Sequence, residues 1–158
     1  METINNFESQ ENKKMEKVVS FESSKEHYEA GAWIAWCFDA RFSGALDAFA
    51  KAKGFQNSDI TKFAGGAKSL ASESVVERGV ELNQIELSIG LHKTKKVVLM
   101  LHMDCGAFGG SKAFGNDRKA EQDHLISQLN AAEENVKQAF PDLEVEKVIA
   151  DFDGVYRV

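Results

Sequence analysis

The sequence predicts an α/β fold, with a central, mainly parallel β-sheet flanked by helices. Three observations carry this. Short, nearly continuous apolar runs alternate with longer segments of helical periodicity. Strands that alternate with helices call for crossover connections and hence parallel pairing. The 158 residues suffice for one substantial core and are too few for two.

Residues 31–38 (GAWIAWCF) form an apolar run that suits a strand buried on both faces. Ser43 offers an N-cap, and Leu46, Phe49 and Ala50 give a helical stripe that ends before Gly54. Residues 59–64 read as a short strand closed by Gly65 and Gly66. Ser74 and Glu77 have capping-box spacing and open a helix to about His92, with Val76, Val80, Ile85 and Ile89 as its apolar stripe. Residues 96–101 (KVVLML) are the strongest strand signal. A Gly-rich loop over 106–115 follows, then a helix from about Asp117 to Phe140, with Pro141 as punctuation. Residues 143–152 form a last strand. Residues 1–17 have sparse, aperiodic apolar positions and read as a polar tail or surface helix. Residues 18–158 then form a single domain.

Composition excludes some functions. A formal net charge of −6 repels a nucleic-acid partner. No run approaches the roughly 18 apolar residues of a membrane span. The N-terminus lacks the apolar stretch of a secretory signal, so a cytoplasmic location is expected. There a disulfide between the two cysteines is disfavoured, which leaves metal binding or inert burial for each.

The neighbours of the cysteines favour metal. Ligands of an open parallel sheet sit beyond the carboxyl ends of its strands. The first strand ends in Cys37-Phe38-Asp39-Ala40-Arg41 and the strongest one in His102-Met103-Asp104-Cys105. Cys37, His102 and Cys105 converging from two strand ends would supply a Cys₂His set with one open position, suited to a single catalytic zinc ion. Asp39 and Arg41 are two apart, so on an extended segment they share a side with Cys37. Arg41 can then hold the Asp39 carboxylate ionised beside the metal. Asp104 is either an acceptor that orients His102 or a polar loop residue. His27, His92 and His124 lie in polar segments and read as surface residues, any of which offers a proton route. Trp33 and Trp36 read as core. Phe108 and Phe114 either line an entrance or anchor the loop.

CxDxR (Cys37, Asp39, Arg41), a later Ala64-Gly65-Gly66, and HxxCG (His102, Cys105, Gly106) after a buried strand resemble the β-class carbonic anhydrases. Order and spacing match from about Trp33 to Gly110, and residues 151–156 (DFDGVY) resemble that family's closing strand. The resemblance implies zinc held by Cys37, His102 and Cys105, and a catalytic dyad of Asp39 and Arg41. It also implies homodimers or larger assemblies, and reversible hydration of carbon dioxide to bicarbonate by zinc-bound hydroxide. A closed state, with the aspartate in the fourth zinc position, belongs to the same picture.

Two rivals stand beside this expectation. Carbonyl sulfide or carbon disulfide could be hydrolysed at the same site. Alternatively, the chain could be a non-catalytic zinc-binding scaffold or regulatory module. The features behind the scaffold reading are Phe38 and Phe42 flanking the dyad and little room for N-terminal helices, and Leu101 before His102 is a further departure from the family pattern.

Overall fold

A computed structural model describes residues 15–158. Among these residues five strands and three α-helices follow in order: β1 (Ala32–Cys37), α1 (Ser43–Ala52), β2 (Ser58–Phe63), α2 (Val75–His92), β3 (Lys96–His102), α3 (Arg118–Ala139), β4 (Glu144–Asp151) and β5 (Gly154–Arg157). The sheet order is β2-β1-β3-β4-β5, with every pair parallel except β4–β5. The expected α/β architecture is therefore present. The expected tail over 1–17 falls mostly outside the described residues, and residues 15–29 are exposed and add no helix or strand.

The central strands explain the two-sided burial. All six residues of β1 are buried, as are all of β3 after Lys96. Alternate side chains feed two cores. On one face Trp33, Ala35, Val97, Leu99 and Leu101 meet Ile85 of α2 and Leu125, Leu129 and Val136 of α3. On the other, Ile34, Trp36, Val98 and Met100 meet Phe42 and Leu46 at the start of α1. The Trp36 indole donates to the Phe42 carbonyl at 3.1 Å, so this tryptophan buries its polar atom with a partner.

Several local expectations need correction. Ser43 is the first residue of α1 rather than its cap, because a 3₁₀ turn, Ala40–Phe42, precedes the helix and is capped by the Asp39 carboxylate. Ser74 does cap α2, but Glu77 reaches back to the Ser72 hydroxyl instead of closing a capping box. Val76 and Val80 face outward, while Glu81, Ile85 and Ser88 form the buried side of α2. The single strand expected over 143–152 is β4 followed by a tight turn at Phe152-Asp153 and the antiparallel edge strand β5.

One close approach fixes the segment after β2. Gly65 and Gly66 both have positive φ (84° and 56°) and lead into a 3₁₀ helix, Gly66–Ala71. A Cβ on Gly66 would fall inside van der Waals contact of the Met100 carbonyl oxygen and lie 3.3 Å from the Cys37 nitrogen. Gly66→Ala should therefore cost at least about 2 kcal/mol of stability in urea unfolding. Gly79→Ala, in open space on α2, should gain roughly 0.5–1 kcal/mol. Equal, small effects for the two substitutions would contradict this packing.

Candidate metal centre

The chain direction of the connections changes between β1 and β3. From β1 the chain turns to β2 on one side, and from β3 it goes on to β4 on the other. Crevices beyond the carboxyl ends of strands at such a switch point bind ligands in open α/β sheets. Cys37 ends β1 and His102 ends β3, and Cys105 follows a short turn in which Asp104 has φ 55°. The Cys37 and Cys105 sulfurs and a His102 ring nitrogen lie within 4.8 Å of one another, and all three residues are buried.

The histidine is oriented by a contact that the sequence did not suggest. Its Nδ1 lies 2.9 Å from the Met103 carbonyl, which fixes the ring so that Nε2 points inward. Nε2 is buried and has no hydrogen-bond partner. Phe42 packs on the ring, with centroids 4.3 Å apart. Phe42 is thus a buried support of the histidine and not an obstruction, whereas Phe38 is 64% exposed and lines the cleft.

The two thiols shift each other in opposite directions. The Cys105 thiol donates towards Cys37 and holds it well below the ordinary cysteine range, against the opposing effect of burial. The Gly65 amide adds a donor at 3.4 Å. Cys105 is pushed up by the same contact. Burial works to lower His102, but the neighbouring Cys37 thiolate and the Met103 carbonyl carry it above the ordinary value. Closely packed thiolate character and an inward imidazole nitrogen form a donor set suited to a thiophilic cation.

Asp39 and Arg41 meet, but not by strand parity. The strand has ended at Cys37, and the pair sits in the 3₁₀ turn. There Asp39 accepts from the Arg41 amide at 3.0 Å, from Nε at 3.1 Å and from Nη2 at 2.7 Å. These bonds hold the Asp39 carboxyl down at about 2. Its Oδ2 is also 3.9 Å from His102 Nε2. The remaining face of the guanidinium is taken by Asp104, through Nη1 to Oδ2 at 3.0 Å and Nη2 to its carbonyl at 3.1 Å. Asp104 therefore serves Arg41 and does not orient His102.

These groups open on a cleft of about 540 Å³ lined by Cys37, His102, Cys105 and Asp39. Its walls are otherwise small or apolar: Phe38, Ala40, Ala64, Gly65, Gly106 and Ala107. The other histidines stand elsewhere. His92 is tied to Asp59, His124 is packed between Phe108 and Phe114, and His27 is exposed. Phe108 and Phe114 thus anchor the loop against His124 and are absent from the cleft walls.

Two buried carboxylates escaped sequence reasoning. Glu121 is 2% exposed and accepts from the Asp104 amide at 2.6 Å and the Ser111 hydroxyl at 2.7 Å. Glu81 is 1% exposed, bonded by the Ser69 hydroxyl of the 3₁₀ helix that begins at Gly66. A readable signal existed in both. Glu121 is in register with the buried Leu125 and Leu129, and Glu81 with Ile85.

Solved structures with this fold include the β-carbonic anhydrase isoform I of Trichomonas vaginalis, at a TM-score of 0.55 and 14% identity, covering 87% of each chain. A carbonic anhydrase of Streptococcus mutans has a TM-score of 0.51 and 19% identity, covering 84% of this chain and 83% of the other. The fold is thus that of the β-class carbonic anhydrases. A family profile described as "Putative carbonic anhydrase" matches residues 28–157, and the chain belongs to that family. An uncharacterized protein of Rickettsia conorii is 31% identical over 148 residues, covering 88% of this chain and 79% of its own length. One of Rickettsia bellii is 29% identical over 149 residues, covering 88% and 90%.

Burial pushes the Glu81 carboxyl up to about 7, against the Ser69 hydrogen bond. An unfolded glutamate releases its proton near 4.5, so between about pH 4.5 and 7 the folded chain keeps a proton that the unfolded chain loses. Stability contributed here is full below the lower value, falls as pH rises through that window, and is gone above about 7. The loss is on the order of 3 kcal/mol. Glu81→Gln should remove this pH dependence and be the more stable form at pH 8, as read by urea unfolding at pH 5 and pH 8. An unchanged slope in the variant would show that Glu81 is not its source.

Proposed function

We propose that the chain binds one zinc ion through Cys37, His102 and Cys105 and interconverts carbon dioxide and bicarbonate, with Asp39 and Arg41 as the orienting dyad. The observation that carries this reading is the His102 Nε2 atom. It is buried without a partner, faces two packed cysteine sulfurs, and lies 3.9 Å from an ionised carboxylate at the wall of a cleft. A buried imidazole nitrogen left unsatisfied is costly, and a metal ion satisfies it. The donor set fits zinc.

Zinc in such a site supplies Lewis acidity that makes water a nucleophile near neutral pH. The chain's own residues do the rest. Asp39, held near a pKa of 2, is too weak a base to take a proton at neutral pH, so its role is to accept a hydrogen bond and aim the attacking water. Arg41 fixes the carboxylate by two parallel bonds. The apolar walls of Phe38, Ala40, Ala64 and Ala107 suit a small uncharged substrate. Among the described residues lining the cleft, Asp39 and the three proposed ligands are the only titratable side chains, and Asp39 is held too acidic to carry a proton at neutral pH. The product proton therefore leaves through cleft water to buffer.

Metal analysis should find about one zinc per chain, with Cys105→Ser sharply reduced. Stopped-flow hydration with a pH indicator should show activity that rises from about pH 7 to 9 and with buffer concentration, and Asp39→Asn should abolish it with zinc retained. A zinc-loaded chain inert to carbon dioxide would overturn the assignment. Sulfide release from carbonyl sulfide or carbon disulfide would then identify a hydrolase acting through the same apolar walls. Inertness to all three would leave a zinc scaffold.

We also propose a homodimer or larger assembly. The outward face of α2 and the neighbouring β2 edge expose Ile60, Val76, Val80, Leu87 and Leu91 together, and grouped apolar exposure of this kind marks an interface. Light scattering should give at least twice the 17.5 kDa chain mass, and Leu91→Glu with Val80→Glu should shift it to the monomer. A monomeric parent chain would refute the interface.

A further inference from the structure

We infer that Asp104 grips Arg41 from behind and Glu121 holds Asp104 in place, so that both are positioning residues that keep Asp39 away from the metal position. This rests on the proposed metal site. The geometry is a chain of contacts running outward from the cleft. Asp39 is bonded along one edge of the Arg41 guanidinium. The other edge is held by the Asp104 carboxylate and carbonyl. Asp104 is itself held at two points, with its Oδ1 accepting from the Ser111 amide at 3.0 Å and its own amide donating to Glu121. Glu121 also takes the Ser111 hydroxyl and is almost fully buried at the start of α3. Aromatic rings close the remaining faces, with the Arg41 carbon 5.4 Å from the Phe152 centroid and 5.8 Å from that of Phe42.

Arg41 thus has two anionic partners, and the second sets where the first is held. Without Asp104 the guanidinium is tethered only to Asp39 and to one carbonyl, on a side chain that is 46% exposed. Asp39 Oδ2 already stands 3.9 Å from a proposed ligand atom, so a loosened pair leaves the carboxylate free to turn onto the metal. An aspartate in the fourth position would compete directly with any small anion seeking it.

Cobalt-substituted protein tests this without turnover. The parent chain should take up cobalt with a near-ultraviolet thiolate-to-metal band, and azide should perturb the visible spectrum. Asp104→Gly removes the carboxylate without backbone strain, because φ there is 55°. It should keep the thiolate band and weaken azide binding about tenfold, the scale set by losing one charged hydrogen bond. Adding Asp39→Asn to Asp104→Gly should restore the affinity, because the competing carboxylate is then gone. Glu121→Leu should act like Asp104→Gly, and Glu121→Gln, which can still accept from Asp104 and donate to Ser111, should stay near the parent. If Glu121→Leu does not fold, the Asp104 pair decides alone. Unchanged azide affinity in Asp104→Gly overturns the inference, as does weakening that persists in the double variant. A parent chain that shows no thiolate band with cobalt refutes the metal site itself, and the inference with it.

Discussion

Two adjacent parallel strands must end side by side for anything in the cleft to exist. β1 and β3 pair with Ala35 opposite Leu99, and that register brings Cys37 and His102 to neighbouring strand ends. Both strands are buried on both faces, so register is fixed by two cores at once, and a slip of one residue would exchange the faces. The Gly65-Gly66 turn adds a third constraint. It lies against the Met100 carbonyl and the Cys37 nitrogen, and so clamps the backbone of both strands just before they deliver their ligands. The donor set inherits its geometry from packing far larger than itself.

The dyad obeys a different logic. Individually, ion pairs this exposed contribute little to stability. Their value lies in direction. Arg41 spends its donors on two carboxylates and one carbonyl, which leaves it few alternative poses. Phe42 links the two halves of the site. Its ring supports His102, its carbonyl receives the Trp36 indole, and it closes the 3₁₀ turn that Asp39 caps. Burial of such a side chain contributes roughly 2–3 kcal/mol, so the aromatic that flanks the dyad in the sequence is a structural anchor.

Much of this was legible in the residues. Continuous apolar runs located β1 and β3, and strand–helix alternation gave the parallel sheet. The two strand-end motifs singled out four side chains that line one cleft, and Arg41, which is bonded to one of them. What escaped were features set by tertiary context. Periodicity placed Val76 and Val80 on the core side of α2, because two valines outweigh a glutamate by hydropathy. The helix instead turns Glu81 inward, where the Ser69 hydroxyl meets it. Strand parity explained the Asp39–Arg41 pair for the wrong reason, since chain direction changes at Phe38 and a capped turn makes the contact. Asp104 was weighed as a partner of His102, but its left-handed backbone aims the carboxylate at Arg41.

The Asp39–Arg41 contact spans two residues, whereas Cys37 reaches His102 and Cys105 across separations of 65 and 68 (102 − 37 and 105 − 37). Short loops close at little entropic cost, and long ones wait until the intervening chain has organised. The aspartate–arginine turn is therefore within reach of a folding chain while β3 is still unpaired, and the three-donor cluster completes only when β1 and β3 dock. A cation taken up by all three donors would be a late arrival that reports a finished sheet. Its binding free energy would then accrue to the native topology alone, and not to partly folded forms that already carry the dyad.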